Sequence, residues 1–242
     1  RDSVQWVVLQ NYKNMNREAP LVRNFVRNTY HRVADTLGVE RYQSVPLYLP
    51  GDTLVPERYG RDGTLACLRG MEGSFDRIFP ITLEDEWLVP RRYLKRLDDS
   101  TAFNHVVFVD RLDQNITTLE RVDKGHWKIR SMNPATTGRH APPYAQETPL
   151  GMYLLQQKKS RMVFLKDGSA ATGGYAPYAS RFTNGAYIHG VPVNVPRTEM
   201  IEYSWSLGTT PRSHMCVRNA TSHAKFIFDW APEERSLVVV IE

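Results

Sequence analysis

The chain carries two cysteines, and their surroundings differ. Cys67 stands in an apolar, strand-like run, Gly63-Thr64-Leu65-Ala66-Cys67-Leu68, where a thiol behaves as a small hydrophobe. Cys216 stands in a polar, histidine-bearing run, Ser213-His214-Met215-Cys216-Val217-Arg218-Asn219. Contexts this different argue against a disulfide, although sequence says nothing about separation in space. A thiol attacks carbonyl carbon only as thiolate, so a catalytic cysteine needs an imidazole or a positive field beside it. It also needs backbone N–H groups aimed at the oxyanion that develops in the tetrahedral intermediate. A tight turn ending in Cys216 can supply those donors. His189, in Ile188-His189-Gly190, can supply the base if the Pro- and Gly-punctuated loop between the two folds back. On residue types alone the pairing is weak evidence, since most lone cysteines and histidines are structural.

Other candidate chemistry falls away. His214 and Cys216 lie two apart with no second ligand pair, which is no zinc spacing, and no metal or organic cofactor is expected. No glycine motif for cradling phosphates is present. Asp98-Asp99 and Glu84-Asp85-Glu86 read as solvated turns, and Lys124-Gly125-His126 and His140 as surface loops. The formal charge of +5 comes from 31 basic and 26 acidic residues spread along the chain. A nucleic-acid footprint needs a dense basic stripe, so no nucleic-acid partner is expected.

Four ordered pieces carry a resemblance to a known family. Ser213-His214-Met215-Cys216-Val217-Arg218 resembles the Ser-His-Gly-Cys-aliphatic-Arg/Asn signature of L,D-transpeptidases, the YkuD-type catalytic domains. Ala135-Thr136-Thr137-Gly138 followed by Thr148-Pro149-Leu150-Gly151-Met152-Tyr153 resembles the family's Thr-Gly and Thr-Pro-x-Gly-x-aromatic stretch. Gly185-Ala186-Tyr187-Ile188-His189-Gly190 resembles its histidine-bearing strand, and Ala224–Asp229 the helix that follows the cysteine. The resemblance spans roughly residues 100–242. It implies that Cys216 is the nucleophile, acylated by a tetrapeptide stem of peptidoglycan with loss of D-alanine. It implies His189 as base, with the Ser213 carbonyl orienting its second ring nitrogen. His214 would shape the turn or the acceptor side, Arg218 would hold a substrate carboxylate or brace the loop, and Tyr175 or Tyr178 would line the donor pocket. Two departures stand out. Met215 replaces the family's glycine, which tolerates φ > 0 and close backbone approach where methionine opposes both. The interval from His189 to Cys216 is also longer than usual, so residues 191–212 are expected to form an enlarged flap over the site. The same signature also fits a wall-binding or scaffolding protein that keeps the fold without turnover. A papain-like wall hydrolase fits least, because here the histidine precedes the cysteine.

Positioning these groups calls for a mainly β protein in three pieces. Residues 1–42 are expected as a helical segment, with an amphipathic helix over 18–37 on Leu21, Phe25, Val26, Val33 and Leu37. Residues 43–98 read as short strands between tight turns. Their end, Trp87-Leu88-Val89-Pro90-Arg91-Arg92-Tyr93-Leu94, resembles the closing strand of bacterial SH3-like barrels, which implies a module that docks wall peptides. Residues 99–242 form the catalytic domain, with strands at 105–109, 116–119, 127–132, 152–156 and 162–165, a helix over 221–230, and a buried last strand at 237–241. No apolar run reaches a membrane span, and Val4–Leu9 is too short for a signal-peptide core. Action on wall peptides implies export to the periplasm or cell envelope, with the targeting segment outside this sequence.

Overall fold

The computed structural model describes residues 4–242. It divides into two compact units, one of residues up to 101 with 152–154, the other of residues 102–151 and 155–242.

The first unit holds β1 (Trp6–Leu9), β2 (Val26–Arg27), β3 (Val33–Ala34), β4 (Ser44–Leu47), β5 (Arg58–Arg61), β6 (Leu65–Glu72), β7 (Phe75–Pro80), β8 (Trp87–Pro90) and β9 (Leu94–Arg96). Five of these make an antiparallel sheet in the order β8-β7-β6-β1-β9, with a single 3-10 turn, Arg91–Tyr93, between β8 and β9. β4 and β5 form a separate pair. Val7, Leu9, Val45, Leu47, Ile78, Trp87 and Tyr93 close the core. The segment expected as a helix over 18–37 is instead the β2–β3 pair and its turns. Short polar side chains take the backbone donors a helix needs. Asn28 Oδ1 accepts from the N–H groups of Tyr30 and Arg32, and Asp35 Oδ1 from those of Leu37 and Val39. Leu21, Phe25, Val26 and Leu37 stay exposed, so the apparent apolar stripe covers nothing. The boundary expected at residue 42 also fails. β1 pairs with both β6 and β9, so residues before 42 belong to the same sheet as those after it.

The second unit contains β10 (His105–Asp110), β11 (Asn115–Asp123), β12 (His126–Thr136), β14 (Gln157–Leu165), β15 (Thr172–Thr183), β16 (Ala186–His189), β17 (Val193–Asn194), β18 (Val217–Asn219), α1 (Thr221–Trp230) and β19 (Ser236–Ile241), while most of β13 (Gly151–Leu154) counts with the first unit. Its sheet runs β19-β10-β11-β12-β18-β16-β15-β14, with β17 on β15. Two neighbours are parallel, β10 with β19 and β16 with β18. The β-branched run at the end forms β19 as expected, with Val238 and Val240 buried. α1 starts at Thr221, the residue at which the sequence places it, and buries His223, Ala224 and Ile227. Its first turn has no cap from its own N-cap residue. Glu202 supplies one from the preceding loop, its carboxylate accepting from the Ser222 N–H. Among the described residues no helix is long and apolar enough to cross a membrane.

Candidate active site

The parallel register between β16 and β18 decides what meets. Ile188 pairs with Val217 and His189 with Arg218. Side chains alternate along a strand, so Arg218 and His189 share a face, and Cys216, two residues before Arg218, leads into it. All three line one cleft of about 870 Å³, together with Ser213 and His214. Both cysteines are free thiols.

The turn that carries Cys216 is tied down from beneath. The Thr148 hydroxyl accepts from the Gly138 N–H at 2.8 Å and donates to the Met215 carbonyl at 2.8 Å. The Thr137 carbonyl accepts from the N–H groups of Arg212 and Ser213, both at 3.0 Å. A Cβ on Gly138 would lie 2.7 Å from the Met215 Cα and 2.2 Å from the Gln146 carbonyl oxygen, so only glycine fits. Thr137, Gly138 and Thr148 are therefore the floor beneath the cysteine turn. Met215 holds φ at 131°, the region glycine favours, so the backbone keeps a glycine-like shape under a methionine side chain. Among the described residues the N–H groups of His214, Met215 and Cys216 donate to no other group.

His189 is clamped from the other side. Its Nδ1 donates to the Gly190 carbonyl at 2.6 Å, which leaves Nε2 as the basic nitrogen. Asn219 Nδ2 donates to the His189 carbonyl, and the Gly190 N–H donates to Pro177. The Thr221 hydroxyl accepts from the Val191 N–H and donates to Ile201. Burial pulls the imidazole down to about 4, with the Arg218 charge adding to it and the Gly190 hydrogen bond opposing. Burial pushes the Cys216 thiol up to about 11, against the opposing pull of the Tyr187 N–H and the Arg218 guanidinium. The resting pair is thus neutral thiol and neutral imidazole. Cys216 Sγ donates to the Gly185 carbonyl at 3.6 Å. Arg218 lines the cleft, and its Nε is buried with no hydrogen-bond partner among the described residues.

Comparison with known families matches residues 104–241 to the L,D-transpeptidase catalytic domain, YkuD. The chain belongs to this family. Comparison with curated protein sequences gives no match. Among solved structures, an L,D-transpeptidase from Mycobacterium smegmatis is similar at 13% identity, covering 75% of this chain and 93% of that one, with a TM-score of 0.46. One from Mycobacterium tuberculosis H37Rv has 21% identity over 78% of this chain and 70% of that one, with a TM-score of 0.44. L,D-transpeptidase 3 from Mycobacterium tuberculosis, in complex with a faropenem-derived adduct, has 18% identity over 73% and 79%, with a TM-score of 0.44.

Within this L,D-transpeptidase domain, several expected roles move. The carbonyl on His189 Nδ1 is that of Gly190, whereas the Ser213 carbonyl accepts from the Arg139 N–H. A neighbouring residue reaches the ring with less backbone than a distant turn would. Tyr178 does not line the cleft. Its backbone turns to φ 53°, and its ring packs edge-on against Phe228 of α1. Tyr175 also lies off the cleft, under the Arg161 guanidinium with its hydroxyl on the Thr198 carbonyl. Met215 shapes the turn through its backbone and is not part of the cleft wall. His214 does line it, with Nε2 3.0 Å from Asp167 Oδ2. The loop over 191–212 supplies Val191, Ile201, Tyr203 and Trp205 to the wall, and the β14–β15 hairpin adds Phe164 and Asp167. No periodicity marks these hairpin residues, so sequence reasoning missed them. The bridging role of Thr221 was missed for the same reason.

Proposed function

We propose that the domain performs cysteine-dependent acyl transfer on peptidoglycan stem peptides, as a transpeptidase or, with water as acceptor, an L,D-carboxypeptidase. The observation that carries this reading is the gathering of Cys216, His189 and Arg218 around one cleft. Cys216 Sγ attacks the carbonyl that precedes the terminal D-alanine of a tetrapeptide stem. With the thiol so weakly acidic and the imidazole so weakly basic, the proton passes to His189 Nε2 as the S–C bond forms, not before it. The oxyanion takes hydrogen bonds from the unengaged N–H groups of the cysteine turn. Collapse expels D-alanine, whose amine takes the proton back from His189. An amine or water then attacks the thioester, again giving its proton to His189 and freeing the thiol. Arg218 holds a substrate carboxylate through its guanidinium fork.

The five-stranded sheet of the first unit, with its 3-10 turn between the last two strands, supports an SH3-like module that docks the wall. A wall substrate places the protein in the periplasm or cell envelope after export.

Intact-mass spectrometry after incubation with a carbapenem or a tetrapeptide donor tests the reading. The native chain gains one acyl adduct and Cys216→Ala gains none. An adduct on Cys67, or on the mutant, overturns it. Sacculus binding without any adduct on the native chain would instead favour a binding module, to which the strained Met215 turn lends support.

A further inference from the structure

Behind the His189 strand lies a polar chain that the reaction above does not use. Thr118 and Ser131 face each other across β11 and β12, with their hydroxyls 2.6 Å apart. Ser131 Oγ lies 2.8 Å from His223 Nε2 on α1, and His223 Nδ1 lies 3.1 Å from Asn219 Oδ1. Asn219 Nδ2 reaches the His189 carbonyl at 3.3 Å.

The direction of every bond follows from its last member. A carbonyl only accepts, so the Asn219 atom facing His189 is its NH₂, and its oxygen faces His223. That oxygen also only accepts, so His223 carries its proton on Nδ1. Burial keeps His223 neutral by pulling it down to about 4, so Nε2 is an acceptor and Ser131 donates to it. The remaining lone pair of Ser131 takes the Thr118 proton. The chain therefore runs one way, from Thr118 through Ser131, His223 and Asn219 to the peptide of His189. That peptide leads to Gly190, whose carbonyl holds His189 Nδ1. A tilt of one moves the other.

We propose that His223 is a positioning residue for the catalytic base, acting through Asn219 on the His189–Gly190 peptide to fix the ring's tautomer and aim. His223 is buried and away from the cleft wall, so it touches no substrate. The inference rests on the acyl-transfer reading for its kinetic test alone.

Three variants test it: His223→Phe, which fills the space but cuts the chain; His223→Gln, whose amide can donate to Asn219 and accept from Ser131; and Ser131→Ala. With a tetrapeptide donor, His223→Phe should lower kcat about tenfold with KM held within about twofold, the signature of a misaimed base. His223→Gln should recover to within about threefold of the native rate, and Ser131→Ala should cost about threefold. The ¹⁵N ring shifts of His189 are read in parallel. The native chain should show the Nδ1–H tautomer, and His223→Phe should show a mixture. If His223→Phe lowers only Tm, leaving kcat and the His189 shifts as in the native chain, the residue serves packing and the proposal fails. Should that variant not fold, unchanged kcat and unchanged shifts in Ser131→Ala overturn it equally. A native chain without turnover would refute the acyl-transfer reading, and the ring shifts would still decide the positioning role.

Discussion

The two halves of the site are built to one plan and differ in strain. In each, a threonine hydroxyl bridges a backbone N–H to a backbone carbonyl, Thr148 under the cysteine turn and Thr221 under the histidine corner. In each, a glycine leaves no room for a Cβ, Gly138 against the Met215 Cα and Gly190 against the Thr221 hydroxyl. In the histidine half, His189, Gly190, Val191 and Thr221 all keep their backbone out of the left-handed region. The cysteine half holds a methionine in a conformation L-residues rarely adopt. The comparison teaches that the turn's shape is imposed by its floor, not chosen by its own residues.

Filling the floor should break the cysteine half most severely. Gly138→Ala places a Cβ against three backbone atoms, none of which can swing away as a side chain would. The expected cost is about 3 kcal/mol or more, with loss of acylation, measured by denaturant unfolding and adduct formation. A variant of native stability and full labelling would show that the floor yields and the turn does not depend on it.

The neutral resting pair makes a second, kinetic prediction. A thiol held near 11 is almost wholly protonated at neutral pH. Its alkylation by iodoacetamide should therefore rise about tenfold per pH unit, roughly a hundredfold between pH 7 and 9. A preformed thiolate–imidazolium pair would react at a rate nearly independent of pH across that window. The sign for stability is set by the same shifts. His189 and His223, both lowered to about 4, are buried neutral. The unfolded chain binds their protons first as pH falls below the ordinary histidine range, so stability is lost between about pH 6.5 and 4.

The paired threonines test the symmetry directly. Thr148→Val and Thr221→Val each orphan one N–H and one carbonyl, and each should cost about 1–3 kcal/mol. Thr148→Val should slow acylation by releasing the cysteine turn. Thr221→Val should slow it by loosening the Gly190 carbonyl that holds His189. A loss confined to one of the two would show that the halves are not equivalent.

Much of this was legible because the informative residues are contiguous. The signature around Cys216, the strand ending at His189 and the span of α1 all express themselves within ten residues or fewer. The Thr-Gly and Thr-Pro pieces were legible as pattern, but their role as a floor was not, since Thr148 meets Met215 only through the folded sheet. The helix expected over 18–37 failed because helical spacing of Leu21, Phe25 and Val33 also arises by chance in a loop. Asn28 and Asp35, which offer the backbone competing bonds, were the signal against it. Tyr178 stays off the cleft because its backbone turns to positive φ and its ring packs on Phe228 of α1, and nothing in the Gly-rich run before His189 announces that turn. β1 was missed because four residues carry too little periodicity to announce a central strand.

The smallest effect sharpens the comparison most. Met215→Gly should relieve about 1–3 kcal/mol of backbone strain, offset by about 0.5–1 kcal/mol of extra freedom that glycine gives the unfolded chain. The net gain of about 1 kcal/mol should appear as a rise in Tm of roughly 2–4 °C, with acylation no slower than in the native chain. A fall in Tm of similar size would mean that the methionine side chain packs well enough to outweigh its own backbone. The turn would then owe its shape to Met215 as much as to the floor beneath it, and the strained half of the site would be stabilised from above as well as below.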